Sequence, residues 1–267
     1  MTRPTDDHIL AHNRAAWNDA ARSGNPWSLP IDAATVARAR AGDWQVILTP
    51  TQAVPRSWFG DLPGKQVLCL ASGGGQQSPT LAAAGADVTS FDLSDEQLAL
   101  DRLVAEREGL RIRLEQGDMA DLTRFADASF DLIFHPCSNV FVRDIQPVWR
   151  EAARVLRPGG RLLAGFMNPS YFLFDHEEDA ATETLQVRYR LPYDESIHPD
   201  LSETRRRQLA GGEALEFSHS LQSQIGGQLA AGLVLIDIYE DWWSDAATRL
   251  NQFSPTTIAT LATKPPL

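Results

Sequence analysis

From residue 63 onwards, short apolar runs alternate with stretches in which apolar residues recur at helical spacing. The apolar runs predict seven strands, within residues 63–75, 86–94, 111–118, 130–136, 161–169, 233–241 and 256–264. The amphipathic stretches predict helices at 76–84, 94–108, 148–156 and 221–232. Strands that alternate with helices in this way are typical of a parallel sheet with helices on both faces, which is an α/β fold.

Two segments depart from this rhythm. Residues 5–22 and 31–41 have the pattern of helices, and a loop-rich lead-in with one possible strand follows them. Residues 170–220 carry an acidic run, a basic run and no clear apolar period. We therefore predict an N-terminal helical cap or lid at 1–62, and a core at 63–267 with a lid-like insertion at about 170–220.

The composition narrows the class of protein. The 267 residues carry a formal net charge of −11, which argues against nucleic acid as a partner because DNA-binding surfaces are usually basic. The two cysteines are too few for a disulfide-stapled secreted domain, and the N-terminus lacks the apolar stretch of a secretory signal. The sequence contains no run of about 20 apolar residues, so no membrane span is predicted. We expect a cytoplasmic protein without a membrane partner; its oligomeric state is not predicted.

A glycine-rich turn lies between the first strand and the first core helix, where such glycines have a functional meaning. Gly73 and Gly75 allow the backbone to turn sharply and to approach a ligand. Asp92 ends the second strand, 19 residues after Gly73, and a carboxylate there accepts both ribose hydroxyls of an adenosine group. This spacing suits a dinucleotide as well as S-adenosylmethionine, and tight packing without a ligand is a further reading.

Five motifs in this order resemble those of the class I S-adenosylmethionine-dependent methyltransferases: VLCLASGGGQQ, FDLS, QGDMADL, FDLIFH and EAARVLRPGGRLL. The resemblance covers residues 63–169 well and 221–267 in outline. It implies a three-layer, Rossmann-like, seven-stranded and mostly parallel sheet whose last strand, 256–264, runs antiparallel between its neighbours. It also implies S-adenosyl-L-methionine as cofactor and S-adenosyl-L-homocysteine as product.

The resemblance further implies where the cofactor binds. Gly73 and Gly75 would line its methionine and ribose, Asp92 its ribose, and Asp118 with Met119 its adenine. The full set of predicted cofactor-binding residues is Ala71, Ser72, Gly73, Gly75, Gln76, Asp92, Leu93, Asp118, Met119 and His135.

The chain departs from the family's first motif at two positions. Cys69 stands where the family has an acidic residue, and Ala71 stands where it has its first glycine. The acidic residue commonly fixes the cofactor's amino group or the glycine turn. Ser72, Gln76 or the N-terminal segment are the candidates to replace it.

Catalytic and substrate residues are harder to predict, because the activated cofactor leaves the protein mainly to align the reacting groups. His135 ends the fourth strand and is the candidate general base that faces the methyl group; the alternative is that it only hydrogen-bonds a loop. Trp17, Asn168 and His219 are candidate substrate or lid residues, and no metal site is predicted. The arginines at 205–207 suit either an anionic substrate group or a solvated helix face.

These observations favour a methyltransferase that transfers the methyl group of S-adenosylmethionine to a small-molecule acceptor by in-line displacement. The net charge of −11 and the lid-like segments support that acceptor class. Three alternatives stay open: methylation of an RNA base or a protein side chain, a nicotinamide-dependent oxidoreductase on a similar sheet, and a non-catalytic module that binds S-adenosylmethionine.

Overall fold

The computed structural model describes residues 4–198, 201–244 and 246–266, so that residues 1–3 of the predicted cap and 199–200 of the predicted insertion lie outside it. Seven strands form one sheet. They are β1 Gln66–Leu70, β2 Asp87–Asp92, β3 Ile112–Gln116, β4 Phe130–His135, β5 Leu156–Met167, β6 Val234–Asp241 and β7 Thr257–Thr263.

The strand order is β3-β2-β1-β4-β5-β7-β6. The neighbours from β3 through β5 pair in parallel, whereas β7 runs antiparallel to both β5 and β6, with Ala259 opposite Gly165 on one side and Tyr239 on the other. The predicted Rossmann-like sheet with an antiparallel last strand is confirmed. Strand β5 begins earlier than predicted, at Leu156, so the Pro-Gly-Gly segment lies within it beside a pairing irregularity.

Helices flank the sheet and form the segments at its ligand edge. They are α1 Asp6–Ser23, α2 Ala33–Arg40, α3 Gln77–Ala83, α4 Asp95–Glu108, α5 Gln146–Val155, α6 His176–Thr182, α7 Glu203–Ala210 and α8 Gly227–Ala230. The helix predicted at 221–232 is a π-helical turn, Gln222–Gly226, that continues into α8. Ser94 accepts a hydrogen bond from the backbone N–H of Gln97 and so caps α4, as its position at the head of an acidic first turn predicts.

Both faces of the sheet are buried, as alternate residues of β1 illustrate. Leu68 and Leu70 face one apolar cluster, built largely with α5, whereas Val67 and Cys69 face the other. The second cluster also holds apolar side chains of residues 46–62. This part of the predicted cap therefore packs on the sheet itself, and in place of the possible strand it has an isolated bridge between Ile47 and Ala53.

The insertion after β5 has an apolar cluster of its own, which explains why it showed no amphipathic period that matches the sheet. Phe172, Tyr189, Tyr193 and Leu201 are buried there together with Val140 from the loop after β4. Within the described part of the chain, no helix combines the length and the apolar character needed to cross a membrane.

Candidate functional site

The glycine turn after β1 follows the edge of a cavity at the carboxyl ends of the parallel strands. Ala71 has a left-handed φ of 48°, the conformation that favours the glycine found there in the family. A Cβ on Gly73 would lie 2.8 Å from Gln97 Cβ, so only glycine fits without a shift. The backbone N–H of Gly73 donates to Asp92 Oδ2 at 3.0 Å, which ties the turn to the end of β2.

Two carboxylates line the cavity beside this turn. Asp92 Oδ1 accepts from the Ser94 N–H at 2.9 Å, and Asp118 Oδ1 accepts from the Ala120 N–H at 2.9 Å. Burial raises the pKa of both carboxyl groups, while these backbone donors oppose the shift. Each oxygen has further lone pairs, so both groups can accept hydrogen bonds from a ligand.

A third carboxylate supports the turn from below. Asp101 of α4 is fully buried, with Oδ1 accepting from the Gly75 N–H at 2.7 Å and Oδ2 from Ser90 Oγ at 2.6 Å. Burial raises the pKa of Asp101 to about 7. Cys69 is buried in the apolar cluster beneath β1, where burial raises the pKa of its thiol to about 12. The carboxylate that fixes the turn therefore comes from α4, whereas the family's acid stands on β1.

Two polar atoms at the turn have no hydrogen-bond partner among the residues that the structure describes. They are Ser72 Oγ and Gln97 Oε1, both buried in residues that line the cavity. Buried polar atoms are nearly always hydrogen-bonded, so these two fit a site whose polar ligand completes them. The side-chain amide of Gln76 instead donates to the carbonyls of Pro26 and Leu29, each at 3.0 Å, and holds the N-terminal segment against the turn.

The cavity has a volume of about 650 Å³, within the range of sites for small ligands. Its glycine end comprises Ala71, Ser72, Gly73, Asp92, Leu93, Asp118 and Met119. Its insertion end comprises Tyr171, Arg205, Glu213, Glu216 and Trp243. Strands β1 and β4 separate β2 from β5, so Asp92 at the end of β2 lies roughly 14 Å, about three strand spacings, from the end of β5, where the insertion begins.

Helix α1 runs over the cavity and contacts both ends. The side chain of Asn13 donates to the carbonyls of Phe141 and Leu215 at 3.0 and 3.1 Å and accepts from the Leu215 N–H at 2.8 Å. Further along α1, Asn18 Oδ1 accepts from Ser94 Oγ at 2.6 Å. Trp17 lines the cavity between these contacts, with its ring edge-on to Phe141 at 5.0 Å.

His135 lies at the end of β4, as predicted, but its ring does not line the cavity. The side chain is fully buried, Nδ1 donates to the Leu70 carbonyl at 2.9 Å, and Nε2 lies 2.6 Å from Asn139 Oδ1. Burial lowers the pKa of this imidazole. This geometry does not support the expectation that His135 faces the reacting methyl group or binds the cofactor, because both ring nitrogens have partners within the wall; that role stays a prediction.

Three other predicted residues also lie outside the cavity lining. Gly75 faces Pro30 and Asp101. Asn168 accepts from the Ser170 N–H at 3.1 Å and thereby caps a short 3₁₀ turn. His219 Nε2 donates to the carbonyls of Asn139 and Val142 at 2.9 and 3.0 Å. Ligand contact by these residues stays a prediction that this geometry does not support, since each side chain or backbone group holds a loop.

The remaining predicted residues do line the cavity: Trp17, Ala71, Ser72, Gly73, Gln76, Asp92, Leu93, Asp118 and Met119. Sequence reasoning missed Gln97 and Asp101, which are polar and yet lie on the buried stripe of α4 with Val104. Two polar residues four apart on an apolar stripe are a detectable signal of a specific role. Tyr171, Glu216 and Trp243 gave no such signal, because tertiary contacts alone bring them together.

Comparisons with known proteins agree with this geometry. Residues 68–164 match the family described as the methyltransferase domain. The chain is 47% identical over 234 residues to the protein named uncharacterized methyltransferase YbaJ of Bacillus subtilis (strain 168), which covers 87% of this chain and 91% of that protein. It is 32% identical over 119 residues to the ubiquinone biosynthesis O-methyltransferase of Bordetella avium (strain 197N), which covers 43% of this chain and 48% of that one.

A solved structure shares the fold over nearly the whole chain. The 1,6-didemethyltoxoflavin-N1-methyltransferase of Burkholderia thailandensis, with bound 1,6-didemethyltoxoflavin and S-adenosylhomocysteine, superposes with a TM-score of 0.61 at 15% identity, covering 99% of this chain and 92% of that chain. The sheet order, the glycine turn with its carboxylates, and the similarity to YbaJ over most of the chain point to one family. The chain belongs to the class I S-adenosylmethionine-dependent methyltransferases, and its cofactor is S-adenosyl-L-methionine.

Proposed function

We propose that the protein transfers the methyl group of S-adenosylmethionine to a small molecule bound at the insertion end. The observation that carries the proposal is the single cavity that joins the glycine end to the insertion end beneath α1. Because α1 and the insertion contact each other across it, the cavity suits an acceptor that enters whole rather than a polymer that lies along the surface. The net charge of −11 also disfavours a polyanionic acceptor.

The glycine end supplies a matching group for each part of the cofactor. Asp92 would accept the ribose hydroxyls and Asp118 the adenine amino group, with Leu93 and Met119 packed against the base. Ser72 Oγ and Gln97 Oε1, which lack partners among the described residues, are suited to accept from the ammonium group of the methionine part. Ser72 Oγ and Gln97 Oε1 would thus bind the amino group that the family's acid binds from the position of Cys69. Asp101 holds only the glycine turn.

The bound cofactor supplies a methyl group that its sulfonium already activates. The chain's own contribution is to hold the acceptor in line with that methyl group and to cover both with α1 and the insertion. Trp17 is suited to this covering role, because it lines the cavity and packs on Phe141 from the opposite wall. No described histidine lines the cavity, so the proposed mechanism assigns no imidazole base.

Transfer of label tests the acceptor class. The protein would be incubated with methyl-tritiated S-adenosylmethionine and a bacterial extract, which is then separated into small-molecule, RNA and protein fractions. We expect label in the small-molecule fraction for the natural chain and for Asp87→Ala, at the far end of β2, but not for Asp92→Ala. Label in RNA or protein would contradict the proposal. Calorimetric binding of S-adenosylhomocysteine without label in any fraction would favour the binding-module alternative.

A further inference from the structure

The insertion end carries more carboxylates than cations. Arg205 Nε and Nη2 donate to the two oxygens of Glu195 at 2.6 and 2.9 Å, and Nη1 donates to Glu213 at 2.7 Å. Nη2 also donates to the carbonyl of Ala214 at 3.1 Å. All three nitrogens of this guanidinium already donate to protein acceptors. Arg205 is therefore not free to bind an anionic substrate group, although such binding was one interpretation of the basic run.

Glu216 lines the cavity beside this arginine and is not paired in the same way. Its carboxyl group accepts no hydrogen bond from a side chain or N–H of the described chain, whereas its own backbone N–H donates to Glu195 at 2.9 Å. Burial raises the pKa of Glu216 to about 7, Arg205 opposes the shift, and Glu195, Glu177 and Glu213 add to it. A ligand cation would stabilise the ionised carboxylate and so offset both its desolvation and the repulsion by its neighbours.

Tyr171 lies near Glu216, since burial and then the Glu216 charge raise the pKa of its hydroxyl, and both residues line the cavity together with Trp243. Tyr171 stacks on His176 at a centroid distance of 3.8 Å and faces Trp243 at 6.2 Å with an interplanar angle of 27°. Among the described residues, the Tyr171 hydroxyl has no hydrogen-bond partner, although its residue lines the cavity. Aromatic rings beside a carboxylate form the kind of environment that attracts ammonium groups.

We propose that the insertion end binds an ammonium group of the acceptor molecule as a recognition group, held by the Glu216 carboxylate beside Tyr171 and Trp243. A protonated nitrogen has no lone pair, so the methyl group goes to another atom of the acceptor. This assignment rests on the proposed function, because it names the chemical class of the small molecule. The Tyr171 hydroxyl accepts one N–H of the ammonium group, and the carboxylate accepts another. Anionic acceptors are excluded by the carboxylates that surround Arg205.

Two matched probe sets test the assignment on the full chain with bound S-adenosylhomocysteine. The first is phenethylamine, phenethyl alcohol and hydrocinnamate; the second is tryptamine, tryptophol and indolepropionate. In titration calorimetry at neutral pH, we expect each amine to bind about tenfold tighter than its alcohol, and the acid to bind most weakly, because charge-assisted and cation–π contacts favour the ammonium.

Variants identify the group responsible. In Glu216→Gln the preference for amine over alcohol should fall to about twofold or less, since the amide carries no charge. The control Glu203→Gln, exposed at the start of α7, should keep the preference. Equal binding of amine and alcohol, tighter binding of the acid, no binding of either amine at millimolar concentration, or a preference that survives Glu216→Gln would each overturn the inference. Binding of S-adenosylhomocysteine to the natural chain is measured separately, and its absence would contradict the proposed function alone.

Discussion

The two ends of the cavity are built from different kinds of contact. The glycine end comes from residues 71–119, one continuous stretch in which strand, turn and helix follow each other and Asp92 and Asp118 lie at or just after strand ends. The insertion end joins Tyr171, Glu216 and Trp243, which belong to separate loops, beneath a helix from the N-terminus. The first end is specified locally and suits a cofactor shared by the family, whereas the second depends on long-range packing and can differ between relatives.

The largest expected effect on ligand affinity comes from a substitution at the glycine end. Asp92→Ala should weaken S-adenosylhomocysteine binding about 100-fold, because it removes two charge-assisted hydrogen bonds to the ribose and the tie to Gly73. The control is Asp87→Ala, which changes an exposed carboxylate at the other end of β2 and should bind normally. Calorimetry measures both; wild-type affinity in Asp92→Ala would show that this end does not hold the ribose.

A smaller effect is expected for His135, which is buried at the end of β4 and does not line the cavity. His135→Ala should lower the free energy of unfolding by about 2 kcal/mol, since the Leu70 carbonyl and Asn139 lose a buried partner. The affinity for S-adenosylhomocysteine should stay within about threefold, because the ring lies outside the cavity.

Urea unfolding and calorimetry check both parts of that prediction, with the exposed His8→Ala as the matched control. An unchanged unfolding midpoint combined with a loss of methyl transfer would restore the catalytic role that the sequence suggested for His135. The same result would show that the end of β4, which lies between the two ends of the cavity, has a functional role as well as a structural one.

The last prediction concerns the support of the glycine turn and is a matter of pH. In the folded chain the pKa of Asp101 is about 7, against an ordinary value of 3.8. Because the folded value is the higher one, the contribution of this group to stability is complete below about pH 4 and is lost as the pH rises through 7.

Asp101→Asn removes that titration while its amide still accepts from Gly75 and reaches Ser90. The stability of the variant relative to wild type should therefore increase between about pH 4 and pH 7 and stay constant above that. Urea unfolding at a series of pH values measures this difference. A difference that does not change with pH would mean that Asp101 titrates alike in the folded and unfolded chain.

The sequence was informative where pattern and position coincide. The alternation of strands and helices predicts the α/β sheet, and the resemblance of five motifs to the family implies the antiparallel β7 and the cofactor-binding positions of Asp92 and Asp118. For His135 the sequence could not predict which way the ring points, because a position at a strand end does not determine it.

The insertion end could not have been predicted in the same way. Glu216 lacks any local motif, and its role depends on Arg205 being committed to Glu195 and Glu213. The packing of residues 46–62, which were predicted to be part of a cap, could not be predicted either, because their apolar side chains have no regular period and yet complete one face of the sheet.

The amide of Asn13 has a consequence for the timing of turnover. Its three hydrogen bonds to Phe141 and Leu215 close the cover over the cavity with a fully buried side chain. If α1 has to lift for ligand exchange, the backbone groups of Leu215 lose this partner, so such an opening would carry the cost of exposing them. We therefore expect the exchange of spent cofactor for fresh, rather than the bond-making step, to set the pace of the catalytic cycle.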